Sequence, residues 1–308
     1  MNRFLERLAS GRILVADGAT GTNLQLLGLG GGQHTEDWLI DNPDSILELE
    51  RNFVEAGADI ILTCTFGGTA IRMRGSKYCD RVADLNRRAA SIARQAAASG
   101  HDVLVGGSMG PVGQLLEPYG PISLAEATSA YAEQARALAD GGVDLLILET
   151  HFSLDEARAA FEAATEVTGL PVIVSFSYDR GQRTMMGVKP SVAATTFGKL
   201  GASMIGVNCG TTLDNAQAVV GEYVATLPTL PIWAKPNAGL PRMEANAAVY
   251  DVTPDQMAEF ALSTVRLGAR VVGGCCGSTP AHIRAIAKAV KAAAPEASVN
   301  QPGTRKTP

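Results

Sequence analysis

Gly142-Val143-Asp144-Leu145-Leu146-Ile147-Leu148-Glu149 is the stretch on which the fold turns. A glycine free to take positive φ stops a helix, two residues turn the chain, four aliphatic residues follow, and an acid ends the run. Such a run is apolar on both faces, so it suits a parallel strand covered on each side. The same punctuation recurs at Gly57-Ala58-Asp59, Gly201-Ala202-Ser203 and Gly268-Ala269-Arg270, each just before another apolar run.

Working outward, strands are expected at 13–17, 60–63, 103–106, 145–149, 172–176, 204–208, 232–235 and 271–273. Helices fill the gaps at 44–56, 81–99, 123–140, 154–167, 190–199, 212–226, 254–267 and 280–293. Ser123 with Glu126 has capping-box spacing, and Thr253-Pro254 and Thr279-Pro280 put proline at a first helical position. Eight β/α units in one chain predict an α/β fold, a single-domain (β/α)8 TIM barrel over residues 1–293, with a doubly wound open sheet as the alternative. Residues 294–308, rich in Ser, Pro and Gly, are expected to be a disordered tail.

Composition removes several functions. The chain has 308 residues, 46% of them hydrophobic and 19% charged, and a net charge of -5, which lacks the basic surplus that binding a phosphate backbone requires. Nucleic acid is therefore not an expected partner. No run approaches the roughly 20 apolar residues of a membrane span, and no lipidation motif is present. Five cysteines without an apolar N-terminal signal segment point to a reduced, cytoplasmic chain rather than a disulfide framework.

Three of those cysteines fall at strand ends. Cys209 follows Met204-Ile205-Gly206-Val207-Asn208, and Cys275 and Cys276 stand in Gly273-Gly274-Cys275-Cys276-Gly277. Three thiolates could hold zinc and leave a fourth position open. Buried structural thiols and a vicinal Cys275–Cys276 disulfide are the competing readings at this point. Cys64, within an apolar strand, and Cys79, placed at a helix start, read as structural.

In a barrel, functional groups gather at the C-terminal ends of the strands. Asp17, Glu149 and Asn237 occupy that ring, although an acid there can equally cap a helix. Gly28-Leu29-Gly30-Gly31-Gly32 lacks a following Lys-Ser/Thr and reads as a mobile loop able to act as a lid rather than a phosphate loop. Arg72, Arg74 and Lys77 read as a solvated helix face.

Four blocks carry a family resemblance: Asp17-Gly18-Ala19-Thr20-Gly21-Thr22, Gly206-Val207-Asn208-Cys209, Pro236-Asn237-Ala238-Gly239-Leu240-Pro241, and the segment from Gly273 through Cys275-Cys276 to Ile283. In this order, from about residue 10 to 293, they resemble the homocysteine S-methyltransferase family, zinc barrels that methylate homocysteine. The resemblance implies Cys209, Cys275 and Cys276 as zinc ligands. It implies Asp17 and Glu149 at the homocysteine ammonium, the backbone amides of Gly18 and Ala19 at its carboxylate, and Asn237 at the zinc's fourth site when substrate is absent. The implied reaction is attack of the zinc-activated homocysteine thiolate on an electrophilic methyl group, giving methionine. His151 is a candidate for the proton lost on binding.

The donor follows from departures within the resemblance. Betaine enzymes of the family carry tyrosines where this chain has Gly67 and Thr150, so two walls of a cation–π cage are missing unless Trp38, Phe152 and Tyr178 rebuild it. The text around Glu149-Thr150 and Asn237 is more similar to the methionine synthase module, which implies methyl delivery from a corrinoid carried by a separate protein or linked to methylfolate. Betaine or sulfonium donors are the alternative, as is a homocysteine- and zinc-binding subunit without complete activity alone. Oligomeric state is not encoded in any of these signals.

Overall fold

The computed structural model describes residues 2–244 and 247–297. Eight parallel strands carry the fold: β1 (Leu14–Val15), β2 (Ile60–Leu62), β3 (Leu104–Met109), β4 (Leu145–His151), β5 (Val172–Phe176), β6 (Met204–Cys209), β7 (Ile232–Pro236) and β10 (Ala269–Val272). A separate antiparallel hairpin, β8 (Arg242–Glu244) with β9 (Ala247–Val249), follows β7. The sheet runs in the order β1-β10-β7-β6-β5-β4-β3-β2, and a parallel bridge between Ala16 and Ile60 brings its two ends together. That closure selects the barrel over the open sheet.

Around it lie α4 (Pro43–Glu55), α5 (Val82–Ala97), α6 (Leu124–Asp140), α7 (Leu154–Thr168), α8 (Pro190–Leu200), α9 (Leu213–Thr226), α10 (Pro254–Leu267) and α11 (Pro280–Ala297). The glycine stops behave as expected: Gly57, Gly142, Gly201 and Gly268 all have positive φ. Ser123 accepts from the Glu126 N–H, and Thr253 with Gln256 forms a reciprocal capping box. The last helix runs to Ala297, beyond the boundary expected at 293; the remainder of the expected tail, 298–308, lies outside the described residues.

Strand alternation sorts the side chains into two cores. Leu14, Ile60, Leu62, Leu104, Leu145, Ile147, Ile173, Met204, Trp233 and Val271 fill the barrel interior. Their neighbours, such as Leu146, Leu148, Val174 and Val207, pack outward against the helices. Gly106 and Gly206 face inward because the interior is full there. A Cβ on Gly106 would lie 2.7 Å from Leu62, and one on Gly206 only 2.9 Å from the Ser175 hydroxyl.

Three short helices escaped the periodicity: α1 (Arg3–Ala9), α2 (Gly21–Leu26) and α3 (Trp38–Asp41). At seven residues, α1 is too short to show a convincing apolar stripe, yet its Phe4 is fully buried within the interior cluster and Leu8 packs beside it. It plugs the barrel. Two other expectations fail locally. Cys79 is exposed and lies in a turn before α5, and the basic stretch is not a helix face. Arg72 instead bonds the Pro111 carbonyl at 3.1 Å and lies over the Phe66 ring, while Arg74 pairs with Glu126 and Lys77 with Asp41. Among the described residues no helix is long and apolar enough to cross a membrane.

Truncating the plug tests this arrangement. Phe4→Ala should cost about 3 kcal/mol of unfolding free energy, read by chemical denaturation, because it empties a site that other side chains cannot collapse into. Loss below 1 kcal/mol would show that the barrel floor closes without α1.

Candidate functional site

On five strands the inward-facing row ends in a polar residue: Ser108 on β3, Glu149 on β4, Ser175 on β5, Asn208 on β6 and Lys235 on β7. Each stands two or four positions beyond an apolar interior residue of its own strand, as a period of two requires. Of these, Ser108, Glu149 and Lys235 line a cleft of about 260 Å³ at the C-terminal ends of the strands. Its walls include Gly18, Ala19, Glu36, Cys64, Phe66, Glu149, Lys235 and the three cysteines. This is slightly below the range of about 300–1,000 Å³ usual for ligand pockets, which suits a ligand of amino-acid size.

The three sulfurs converge on one side. Cys209 Sγ is 2.9 Å from Cys275 Sγ and 3.8 Å from Cys276 Sγ, and all the cysteines are free thiols rather than a vicinal disulfide. The backbone is shaped to bring them there. Cys209 holds φ +54, left-handed geometry that a side chain adopts at a cost of about 1–3 kcal/mol. Across from it, the Cys275 N–H donates to the Pro236 carbonyl at 2.7 Å, and Ala238 N–H donates to Cys276 O at 2.9 Å. Gly273 cannot carry a side chain, because a Cβ would stand 2.8 Å from the Ala16 carbonyl.

Crowding three thiols distributes charge unevenly. Hydrogen bonds from Cys209 and Cys275 pull Cys276 down to about 3, whereas the hydrogen bonds Cys209 shares with its two neighbours push its own ionisation well up. One sulfur ionises easily and the next resists. A cation is what would let all three ionise together, and these are the one group of His, Cys, Asp or Glu ligand atoms close enough to hold a metal among the described residues.

The expected substrate groups are only partly where the resemblance put them. Glu149 faces the cleft, accepts a hydrogen bond from Ser108, and is pushed up to about 7, chiefly by burial. Asp17 does not line it. Its carboxylate accepts from Lys235 Nζ at 2.6 Å and from the Leu62 N–H at 2.7 Å, with both side chains of the ion pair no more than 3% exposed. Burial raises Asp17, whereas Lys235 stays protonated because Asp17 and Glu149 outweigh its own desolvation. The Gly18 and Ala19 backbone borders the cleft, but the Ala19 N–H already donates to Ser278 O at 3.3 Å. Asn237 does not line the cleft. Its Nδ2 donates to Gly210 O at 3.0 Å, and its buried Oδ1 has no partner among the described residues.

Other expected residues stay out of the cleft. A register shift between Leu148 and His151, with Thr150 at φ +64, turns His151 away to pack against Tyr131 at 6.1 Å. Burial lowers its basicity, and it does not border the cleft. Tyr178 is buried against Tyr223, their hydroxyls 2.8 Å apart, and neither Trp38 nor Phe152 borders the cleft. Phe66 is the single aromatic residue on its wall among the described residues.

Lys235, Asn208 and Tyr250 went unrecognised in the sequence. The first two sit at strand-end positions that the period of two would have flagged. Asn208 bonds Ser175, Thr150 and, at 3.8 Å, Cys275 Sγ. Tyr250 arrives from beyond the hairpin and lies across Gly277, next to the double-cysteine turn, a contact that no local pattern announces.

Residues 14–290 match the family model described as homocysteine S-methyltransferase. The chain is 34% identical over 300 residues to methionine synthase of Mycobacterium tuberculosis (strain ATCC 25618 / H37Rv) and 35% identical over 305 residues to that of Mycobacterium leprae (strain TN). Those alignments cover 91% and 93% of this chain but 25% of each relative, so it spans about a quarter of their length. The metallated form of the homocysteine methyltransferase MmuM from Escherichia coli superposes with a TM-score of 0.77 at 26% identity, covering 93% of this chain and 99% of that one.

The buried ion pair makes a direct prediction. Lys235→Met should destabilise the protein by about 3 kcal/mol, because it leaves the Asp17 charge buried and unpaired, and Asp17→Asn combined with Lys235→Met should recover most of that loss. Equal stability of the single and double variants in denaturant titrations would show that the two residues do not act as a pair.

Proposed function

Because the chain belongs to the homocysteine S-methyltransferase family, we propose that Cys209, Cys275 and Cys276 hold a zinc ion beside which homocysteine accepts a methyl group to become methionine. The observation that carries this is the convergence of three thiols on a cleft of amino-acid size. The donor set fits zinc. A tetrahedral site with bonds of about 2.3 Å has ligand edges of about 3.8 Å. Cys209 and Cys276 already stand at 3.8 Å, and the 2.9 Å between Cys209 and Cys275 needs to open by less than 1 Å.

When bound, zinc keeps a thiol ionised at neutral pH, where a free thiol is mostly protonated. The chain's own residues supply the rest. Glu149 and Lys235 border the polar end of the acceptor, with the Gly18 backbone beside them. Asn237 Oδ1, buried and without a partner among the described residues, is the oxygen that would serve as the metal's fourth ligand in the acceptor's absence, as the resemblance implies. Asn208 donates a hydrogen bond to Cys275, which draws electron density from that sulfur and leaves the acceptor sulfur the more reactive one.

For the donor, we favour a methyl-corrinoid carried by a separate protein, itself recharged from methylfolate. Two observations support it: relatives at 34% and 35% identity are methionine synthases of about four times this length, and the cleft offers one aromatic residue rather than a cage for a quaternary ammonium. A reduced, cytoplasmic setting suits three free thiols.

The test supplies the zinc-loaded chain with homocysteine and, in parallel, methylcobalamin, betaine, S-methylmethionine and methyltetrahydrofolate. Methionine is expected from methylcobalamin; turnover with betaine or S-methylmethionine alone would overturn the donor assignment. Separately, Cys209→Ala and Cys275→Ala should emerge from purification with almost no metal by elemental analysis while retaining native circular dichroism. Wild-type zinc content in either variant would remove that cysteine from the site.

A further inference from the structure

Asp17 is the acid that the family resemblance assigns to the substrate's ammonium, yet here an ammonium already occupies it. Lys235 Nζ stands 2.6 Å from Asp17 Oδ1, and the Leu62 N–H takes Oδ2. No part of Asp17 borders the cleft, whereas Lys235 does. The second acid, Glu149, also has compensation: Ser108 donates to it, and the Lys235 charge acts on it. An acceptor that brought no ammonium would therefore leave no bare carboxylate behind.

The other end of the acceptor is treated differently. A lysine ammonium has three donors, and the ion pair with Asp17 uses one. Of the two backbone amides expected to receive the carboxylate, that of Ala19 is committed to Ser278. Lys235 is thus the strongest donor and the one cation on the cleft wall among the described residues. It is also positioned firmly, since its stem rises from β7 two residues beyond the buried Trp233, over whose ring Nζ lies at 5.8 Å.

We propose that Lys235 sets acceptor specificity: it stands in for the substrate's ammonium at Asp17 and binds the substrate's carboxylate, so the cleft takes ω-mercaptocarboxylates as well as homocysteine. The class is a thiol separated by a short aliphatic chain from an anionic group. This rests on the reading of the site as a thiol acceptor, and the experiment separates the two.

Calorimetry on the zinc-loaded full chain would compare homocysteine with 4-mercaptobutyrate, which lacks only the amine, and with 3-aminopropane-1-thiol, which lacks only the carboxylate. The dissociation constant of 4-mercaptobutyrate is expected within about fivefold of homocysteine, and that of the aminothiol at least about tenfold weaker, each tenfold being about 1.4 kcal/mol. In Lys235→Met, which bares Asp17, the order of the two truncated thiols should reverse. If that variant does not fold, the wild-type comparison decides alone. Wild-type preference for the aminothiol, or a loss above about 30-fold on removing the amine, overturns the proposal, because that is the cost of stripping a partner from a buried charge. Failure of all three thiols to bind would defeat the thiol-acceptor reading itself, and this proposal with it.

Discussion

Closure of a parallel barrel forces every second side chain of every strand into one enclosed interior, and the site depends on that constraint. Lower in the barrel the inward row is aliphatic, and Trp233 with the α1 plug completes a dry core. At the C-terminal ends the same row turns polar, through Ser108, Glu149, Ser175, Asn208 and Lys235. Because the strands are rigid and hydrogen-bonded on both sides, these groups cannot retreat to water. Each must find its partner inside, and the pairings that result (Glu149 with Ser108, Asn208 with Ser175 and Thr150, Lys235 with Asp17) set the electrostatics of the cleft.

The cysteines obey the same constraint with an added strain. β6 and β10 are separated in the sheet by β7, so their ends approach only if the chain bends inward at both. Left-handed Cys209 provides one bend, and the paired glycines before Cys275 provide the other. Strain of this kind persists only where surrounding packing enforces it, and it is commonly found where function uses it. Here the enforcement comes from the Pro236 and Cys276 carbonyls, which hold β7 and the double-cysteine turn together.

Much of this was legible in the sequence, for definite reasons. Eight apolar runs, four of them preceded by the glycine stops at Gly57, Gly142, Gly201 and Gly268, marked the barrel strands, and the three cysteines at strand ends could be placed near one another once a barrel was assumed. What stayed hidden depends on parity or on contact across the fold. Asp17 reads as a free acid at a strand end; only three-dimensional register shows that Lys235, 218 residues away, neutralises it. His151 reads as a neighbour of Glu149 two residues on, but left-handed Thr150 breaks the alternation and sends it to the other face. The α1 plug and the Tyr250 approach are too short or too irregular for any periodicity to register.

Charge balance ties the two halves of the cleft together. On the proposed reading, three thiolates around a divalent cation would carry one net negative charge and a fourth sulfur would add another, in a place where burial raises the cost of every unbalanced charge. Lys235 lies close enough to Cys275 for each to favour the charged form of the other. Its cation therefore serves two acids and a thiolate at once. A lysine at this position is consequently more than an anchor for Asp17: on the proposed reading its single positive charge would offset part of the negative charge that an ionised acceptor sulfur adds, while its free donors remain for the acceptor's carboxylate.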